Sequence, residues 1–349
     1  MARGRGARVR AAVIERHGGP EVIELREWPD PRPAPGEILV RVRACALNRR
    51  DIWVRRGLRE QRLPHILGTD VAGEVASSPG ARGDLAVGTR VVLKPTLTCD
   101  RCEFCAAGRD NACVAIRMLG GAVDGGYAEL ISVPRANVFP IPVPLSFVEA
   151  AAVPVVFLTA WHMLVTRATL RPGETVLVVA GASGVGSAAI QVARAHGARV
   201  VATAGSVAKR ERTRALGAEH AIDHHKESIA DEVRRLTGGR GADVVVDHVG
   251  AATWAESLRA LARGGRFVVC GNTTGNDVVL PLLQFYGQNQ TLYGAYIGTA
   301  GEFGALLRAF ATGLFKPVID AVLPLTAAAE AHRKLEQGDH FGKIVLTTD

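Results

Sequence analysis

Aromatic residues are scarce in this chain: phenylalanine, tryptophan and tyrosine make up 5% of its 349 residues. So few rings leave no stacking platform for single-stranded nucleic acid. That removes the partner which a net charge of +8 would otherwise suggest, since the cations are scattered along the chain and not gathered in a stripe. The excess charge is read instead as attraction for a multiply anionic small ligand. Long apolar runs are also lacking, which argues against a membrane span. No secretory signal is evident: residues 1–10 carry four arginines, but no apolar segment follows them. The stretch reads as a solvated basic tail and the setting as cytoplasmic, where thiols stay reduced. Cysteine itself is sparse, six in all, yet four of the six crowd into one loop.

That loop reads Cys99-x2-Cys102-x2-Cys105-x7-Cys113. Four thiolates this close can close a tetrahedral shell around one Zn²⁺ with bonds of about 2.3 Å. A closed shell has no open position, so such a metal is structural, one per chain. The competing reading is two disulfides, which a reducing compartment disfavours. Cys45 and Cys270 sit in apolar, strand-like contexts and are expected to be small core residues, not nucleophiles.

The length allows two domains. Residues 1–150 read as short β-like runs, among them 8–14, 22–28, 38–46, 71–76, 90–93 and 127–133, punctuated by proline clusters such as Pro29-Asp30-Pro31. This predicts an irregular, mostly antiparallel β domain with the cysteine lobe, residues 94–118, inserted. From residue 151 to 299 the character changes. Apolar runs at 176–180, 199–203, 243–247, 266–270 and 291–296 alternate with helical stretches at 185–196, 207–216, 227–236 and 253–262. That rhythm predicts an α/β fold with a doubly wound parallel sheet. Residues 300–349 carry two helical stretches and a strand at 343–346, expected to return to the first domain.

Between the first strand and helix of the sheet lies Gly181-Ala182-Ser183-Gly184-Val185-Gly186. A glycine-rich turn lets the backbone approach a pyrophosphate, and the following helix aims its N-terminal N–H groups at it. The second strand ends Thr203-Ala204-Gly205-Ser206 with no carboxylate to hold a ribose 2′-hydroxyl, while Lys209, Arg210 and Arg212 follow. Room for a 2′-phosphate, with Ser206, Lys209 and Arg210 beside it, favours NADPH. The alternative is that these cations form an ordinary solvated helix face.

Further motifs run the length of the chain: Gly36-Glu37-x-Leu39-Val40-x-Val42, Ala46-Leu47-Asn48-Arg49-Arg50-Asp51, Pro64-x3-Gly68-x-Asp70-x2-Gly73-x-Val75, Gly265-Arg266-x-Val268 and Gly342-Lys343-Ile344-Val345-Leu346. With the cysteine loop and the glycine turn, these resemble the medium-chain dehydrogenase/reductase superfamily. The resemblance implies a GroES-like, mostly antiparallel β catalytic domain and a Rossmann domain. It also implies where a catalytic zinc would be bound, and there this chain has Asn48, the pair Thr69-Asp70, and a position near Val155. Zinc takes Cys, His or carboxylate ligands, so a Lewis-acid zinc is not expected. The pattern Ala46-Leu47-Asn48…Asp51…Arg56-Gly57 resembles the zinc-independent branch, quinone oxidoreductases and enone reductases, although most quinone oxidoreductases of that branch lack the cysteine loop.

Without a Lewis acid, a quinone or an enone is an easier hydride acceptor than an unactivated ketone. The resemblance implies Asn48 near the nicotinamide ribose and acceptor, Thr159 near the nicotinamide, and the loop at Gly271 and Asn272 flanking the cofactor. Arg50, Trp53, His65 and the tyrosines Tyr286, Tyr293 and Tyr296 are further candidate donors. The tyrosines are expected to pack instead. Asp51 is a candidate acid or a structural carboxylate paired with an arginine. His162, like His65, is expected to be structural or pocket-lining. Other readings remain: an alcohol dehydrogenase with displaced zinc ligands, or a non-catalytic NADPH-binding regulatory protein. The resemblance further implies a homodimer or homotetramer through the edge strand at 291–296.

Overall fold

The structure, a computed structural model, describes residues 8–59, 61–78 and 85–348. Most of the expected basic tail lies outside the described residues. Arg8 and Arg10 open the first strand and pair with Glu27 and Glu129. The chain divides into two compact units, Met1–Val155 with Thr299–Asp349, and Val156–Gly298.

The first unit is built on β3 (Glu37–Ala46), whose side chains alternate between buried and exposed before both faces become buried near Ala46. Its long neighbour on one side is β5 (Asp70–Ser77). Its other side is shared: the first half pairs with β9 (Leu130–Pro134) and the second half with β18 (Lys343–Thr347). The C-terminal residues thus return to the first unit. β6 (Arg90–Leu93) and β10 (Val138–Pro140) extend one edge, and β17 (Ile319–Pro324) lies parallel to β18 at the other. A smaller antiparallel sheet holds β1 (Arg8–Ile14), β2 (Ile23–Pro29) and β4 (His65–Ile66). The hairpin-like pair β7 (Thr96–Leu97) and β8 (Arg117–Met118) brackets the cysteine lobe. Val40, Val42, Leu67, Val71 and Tyr127 are among the buried residues of one continuous core.

Several elements of this unit lie outside the sequence reading, the helix Phe147–Ala151 among them, and two of them flank the pair β3 and β18. Directly after β3 the chain forms a helix, Arg49–Arg55, started by a capping box in which Asn48 and Asp51 each satisfy the other's backbone. The second is β17, whose half-exposed side chains give a weak alternating signal. The helix carries Arg55, which is fully buried and donates to Gly18 O and to Nδ1 of His332, and pairs with Glu336. His332 also meets the Tyr127 hydroxyl at 3.2 Å. An arginine only donates, so Nδ1 accepts and the ring's proton sits on Nε2.

Burial, with Arg55 adding repulsion, pushes His332 down from 6.5 to about 3. The unfolded chain binds this proton below about pH 6.5 while the fold refuses it. The stability contributed by the neutral ring is complete above pH 6.5 and is lost as pH falls toward 3, at up to about 1.4 kcal/mol per unit. Between pH 7 and 5 the parent is therefore expected to lose ~2 kcal/mol that His332→Gln does not lose. Urea unfolding at the two pH values measures the difference, and parallel slopes in both proteins would refute it.

The second unit is a six-stranded, wholly parallel sheet in the order β13-β12-β11-β14-β15-β16. The strands are β11 (Thr175–Val178), β12 (Arg199–Thr203), β13 (His220–Ile222), β14 (Ala242–Asp247), β15 (Leu261–Val269) and β16 (Thr291–Gly294). Counted within the sheet this is 3-2-1-4-5-6, the Rossmann order, with its switch point between β11 and β14. β11 and β14 are buried along their whole length, as valine-rich strands covered on both faces must be. The helix expected over 253–262 runs Ala251–Ala260, because the chain turns extended at Leu261 to begin β15.

Candidate functional site

In the cysteine lobe the four Sγ atoms lie within 4.8 Å of one another. Cys102 and Cys105 are 3.5 Å apart, Cys113 and Cys99 3.5 Å, and Cys99 and Cys105 4.0 Å. A tetrahedron with Zn–S bonds of about 2.3 Å has edges of about 3.8 Å, so the donor set fits a zinc ion. No pair is near a disulfide length of about 2.05 Å, and all six cysteines are free. Main-chain N–H groups of Cys99 and Ala115 donate to Cys113 Sγ, those of Cys105 and Val114 bring Cys102 down to about 6, and burial pushes Cys105 up to about 12. The lobe is also tied down by Asp110, which pairs with buried Lys94 at 2.5 Å and accepts the N–H of Ala300 at 2.9 Å.

A second cluster surrounds Asn48. The pairing of Ala46 with Val345 brings Lys343 beside the end of β3. Lys343 Nζ donates to Leu47 O at 2.5 Å, Asn48 Oδ1 at 2.7 Å and Asp70 Oδ2 at 3.0 Å. Asn48 Nδ2 donates to Asp70 Oδ2 at 2.9 Å, and Val155 N donates to Asp70 Oδ1 at 2.9 Å. Asp51 is fully buried and accepts the N–H groups of Asn48 at 2.7 Å and Gly68 at 3.3 Å. Burial pushes its carboxyl up to about 6, against the pull of those N–H bonds and of Lys343. No arginine partners it among the described residues, so its structural role is that of a helix cap. Gly68 can be only glycine here: its φ is +103°, and a Cβ would lie 2.5 Å from the Tyr127 ring. The Thr69 hydroxyl donates to Leu119 O at 2.9 Å. Asp70 and Lys343 were not singled out in the sequence as a pair, although each stood in a quoted motif.

The remaining candidates of this unit divide. His65 is buried with Nδ1 3.1 Å from Asp124. Trp53 lies under the Arg59 guanidinium at 5.7 Å. Arg50 lies against Gly121, whose Cβ would meet its guanidinium at 2.4 Å. Burial pushes Cys45 well up, which fits a core thiol. A cavity of about 330 Å³, lined by residues including Trp28, Ile66, Leu119 and Asp124, holds none of the expected site residues.

In the second unit the glycine turn sits at the carboxyl end of β11. Ala180 takes φ +53°, and its N–H and that of Gly181 are held by Thr203 at 2.9 and 2.8 Å. Ser183 caps the helix Gly184–Ala195, its Oγ accepting Gly186 N at 2.9 Å. A Cβ at Gly186 would stand 2.2 Å from Ala180 O, so this cradle admits only glycine. The first-turn N–H groups of Gly184 and Val185 have no intrahelical acceptor and suit a phosphate.

Ser206 caps the helix Val207–Ala215 through Lys209 N at 3.3 Å. Arg210 is engaged: its guanidinium meets Asp223 at 2.6 Å. Asp223 thus competes with a 2′-phosphate for Arg210. Gly271 follows β15, with a Cβ position 2.6 Å from His248 O, and Asn272 bonds Asn276. Thr159 is buried on the helix Pro154–Trp161. Cys270 is half-buried, and burial pushes it up to about 12.

His248 was missed. It directly follows β14, pairs with Ser183 Oγ at 2.8 Å, and leaves a buried Nδ1 without a partner. Its place at the end of a central strand was the available signal. Tyr286 and Tyr296 do not pack as expected: they are 66% and 52% exposed.

A mostly antiparallel β unit bearing a four-cysteine lobe, joined to a Rossmann unit, defines a dehydrogenase-type oxidoreductase whose fold binds a nicotinamide cofactor. The model of the zinc-binding dehydrogenase family matches residues 184–312, and that of the alcohol dehydrogenase GroES-like domain matches residues 34–143. Quinone oxidoreductase of Rattus norvegicus is 30% identical over 348 residues, 97% of each chain. A solved structure described as an NAD-dependent alcohol dehydrogenase is 46% identical, with a TM-score of 0.94 over 97% of this chain and 100% of that one. A cobalt- and zinc-bound thermostable alcohol dehydrogenase from Pyrobaculum aerophilum is 34% identical, with a TM-score of 0.89 over 98% and 100%. The chain belongs to the medium-chain dehydrogenase/reductase superfamily.

Proposed function

We propose that this protein is an NADPH-dependent oxidoreductase that reduces a quinone or an α,β-unsaturated carbonyl without a catalytic metal. One observation carries the reading. Where the resemblance calls for metal ligands, the chain presents an amide, a hydroxyl bonded to Leu119 O, and a carboxylate already neutralised by the Lys343 ammonium at 3.0 Å. A resident cation and two poor ligands leave no place for Zn²⁺. When bound, the reduced nicotinamide supplies a hydride. The chain's part is to hold the dinucleotide at the Gly181–Gly186 turn, with Ser183, Gly184, Val185 and His248, and to offer Asn48 to the acceptor, whose conjugation spreads the negative charge. Asp51 fixes Asn48 by capping its helix, and Thr159 is assigned to the nicotinamide end.

A panel of quinones, enones, aldehydes and alcohols, followed by NADPH absorbance, tests the reading. Turnover of quinones or enones alone supports it, and oxidation of simple alcohols with added zinc overturns it. The second reading, an alcohol dehydrogenase, draws on the 46% identity to a protein described as one.

Preference for NADPH rests on the carboxylate missing after β12 and on Ser206 and Lys209 at the next helix. Ser206→Asp keeps a good helix cap while placing a negative charge where a 2′-phosphate is expected. The ratio of kcat/KM for NADPH over NADH is predicted to fall at least tenfold, about 1.4 kcal/mol. An unchanged ratio would remove Ser206 from the phosphate site.

Further support bears on setting and assembly. Free cysteines throughout fit a reducing, cytoplasmic compartment, and among the described residues no helix is long and apolar enough to cross a membrane. The unpaired edge β16 and exposed Leu282, Leu283 and Tyr286 support a homodimer or homotetramer through this sheet edge.

A further inference from the structure

The cluster around Asn48 settles the orientation of one amide. An ammonium only donates, and an ionised carboxylate only accepts. The Asn48 atom facing Lys343 at 2.7 Å is therefore Oδ1, and the atom facing Asp70 at 2.9 Å is Nδ2. Lys343 has three N–H groups, and Leu47 O, Asn48 Oδ1 and Asp70 Oδ2 take all of them. Asp70 Oδ1 takes Val155 N–H. Within this cluster one polar side-chain hydrogen remains, the second on Asn48 Nδ2. Asn48 is also the one half-buried member, whereas Asp51 and Asp70 are 0% exposed and Lys343 is 4% exposed.

We infer that Lys343 and Asp70 are positioning residues that lock the Asn48 amide so that its remaining Nδ2–H donates to the carbonyl oxygen of the acceptor. This rests on the reading of the protein as a reductase of quinones or enones. As the hydride from NADPH forms the new bond to the acceptor, the displaced π pair moves to that oxygen, which later takes a proton from water. A donor already aimed at the oxygen stabilises this charge without reorganising. Were the amide free to turn over, Oδ1 would face the oxygen, lone pair against lone pair. A buried ion pair is weak evidence for stability, because desolvating both charges offsets their attraction. Its retention here fits a device that selects one orientation of a neighbour.

The test combines kinetics with a readout that needs no turnover. In Lys343→Met, kcat with a quinone is expected to fall about tenfold, with the acceptor KM and the Kd for NADPH within ~threefold of the parent. Lys343→Arg should restore most of the loss. Asn48→Ala should lower kcat similarly, and Lys343→Met added to Asn48→Ala should cost little more, because nothing is left to position. Additive losses, or a folded Lys343→Met with parental kcat, overturn the inference.

If Lys343→Met does not fold, the neutral pair Asp70→Asn with Lys343→Gln takes its place under the same criteria. Separately, the Asn48 side-chain N–H hydrogen held by Asp70 should exchange with solvent deuterium at least tenfold faster in the lysine variant than in the parent. Unchanged exchange overturns the positioning whatever the substrate is. Faster exchange in the variant of a protein that reduces neither quinones nor enones upholds the lock and overturns the function assigned to it.

Discussion

Replacing Gly186 with alanine is expected to weaken dinucleotide binding at least 100-fold, about 3 kcal/mol. The cause is backbone against backbone. The new Cβ would stand 2.2 Å from Ala180 O and 2.8 Å from Gly181 Cα. No rotamer relieves that clash, since both atoms belong to the turn itself. Ala180 already holds φ +53°, a strained region for a residue with a side chain, and Thr203 pins its N–H. The turn must therefore shift away from the helix, and the N–H groups of Gly184 and Val185 no longer converge on one phosphate. Fluorescence of NADPH titrated with the variant gives the constant, and far-ultraviolet circular dichroism shows whether the sheet has survived. An affinity within threefold of the parent, in a folded variant, would remove the turn from the binding site.

The second large effect is on stability. Cys113→Ser is expected to lower the melting temperature by about 10 °C and to abolish zinc retention, with chelation of the parent approaching the same value. Cys113 is the most buried of the four thiols and accepts two main-chain N–H groups, from Cys99 and Ala115. A serine oxygen is a shorter, harder donor that cannot complete a four-sulfur shell. Differential scanning calorimetry with metal analysis of the same samples provides the check. The fall should stop short of global unfolding, because Asp110 still joins the lobe to Lys94 and to the N–H of Ala300. A parental melting temperature in a zinc-free Cys113→Ser would show that the lobe needs no metal.

The sequence was most readable where covalent spacing and periodicity speak directly. Four cysteines with gaps of two, two and seven predicted a cluster that the structure closes to 4.8 Å. Valine-rich runs alternating with amphipathic helices predicted a parallel sheet, whose strand order only the structure supplies. What was not readable depends on tertiary pairing. Lys343 and Asn48 are 295 residues apart, and only the register of β18 on β3 joins them.

Arg210 looked available for a phosphate because its partner, Asp223, lies beyond the next strand. His248 carries no motif, and its meeting with Ser183 follows from two strands ending side by side in the sheet. The helix Arg49–Arg55 did have a local signal, the Asn48–Asp51 capping box, hidden by the apolar Ile52, Trp53 and Val54 that continue the β-like run.

The central claim is that turnover needs one metal at most, and that one in the cysteine lobe. Zinc counted per chain by inductively coupled plasma mass spectrometry, on protein whose quinone or enone reductase rate is measured before and after mild chelation, tests it most directly. The account predicts about one zinc per chain, lost only with the stability of the lobe, and a rate per folded molecule that does not follow metal content. Two zincs per chain, with turnover that disappears when one is removed from a still folded protein and returns when it is restored, would contradict it.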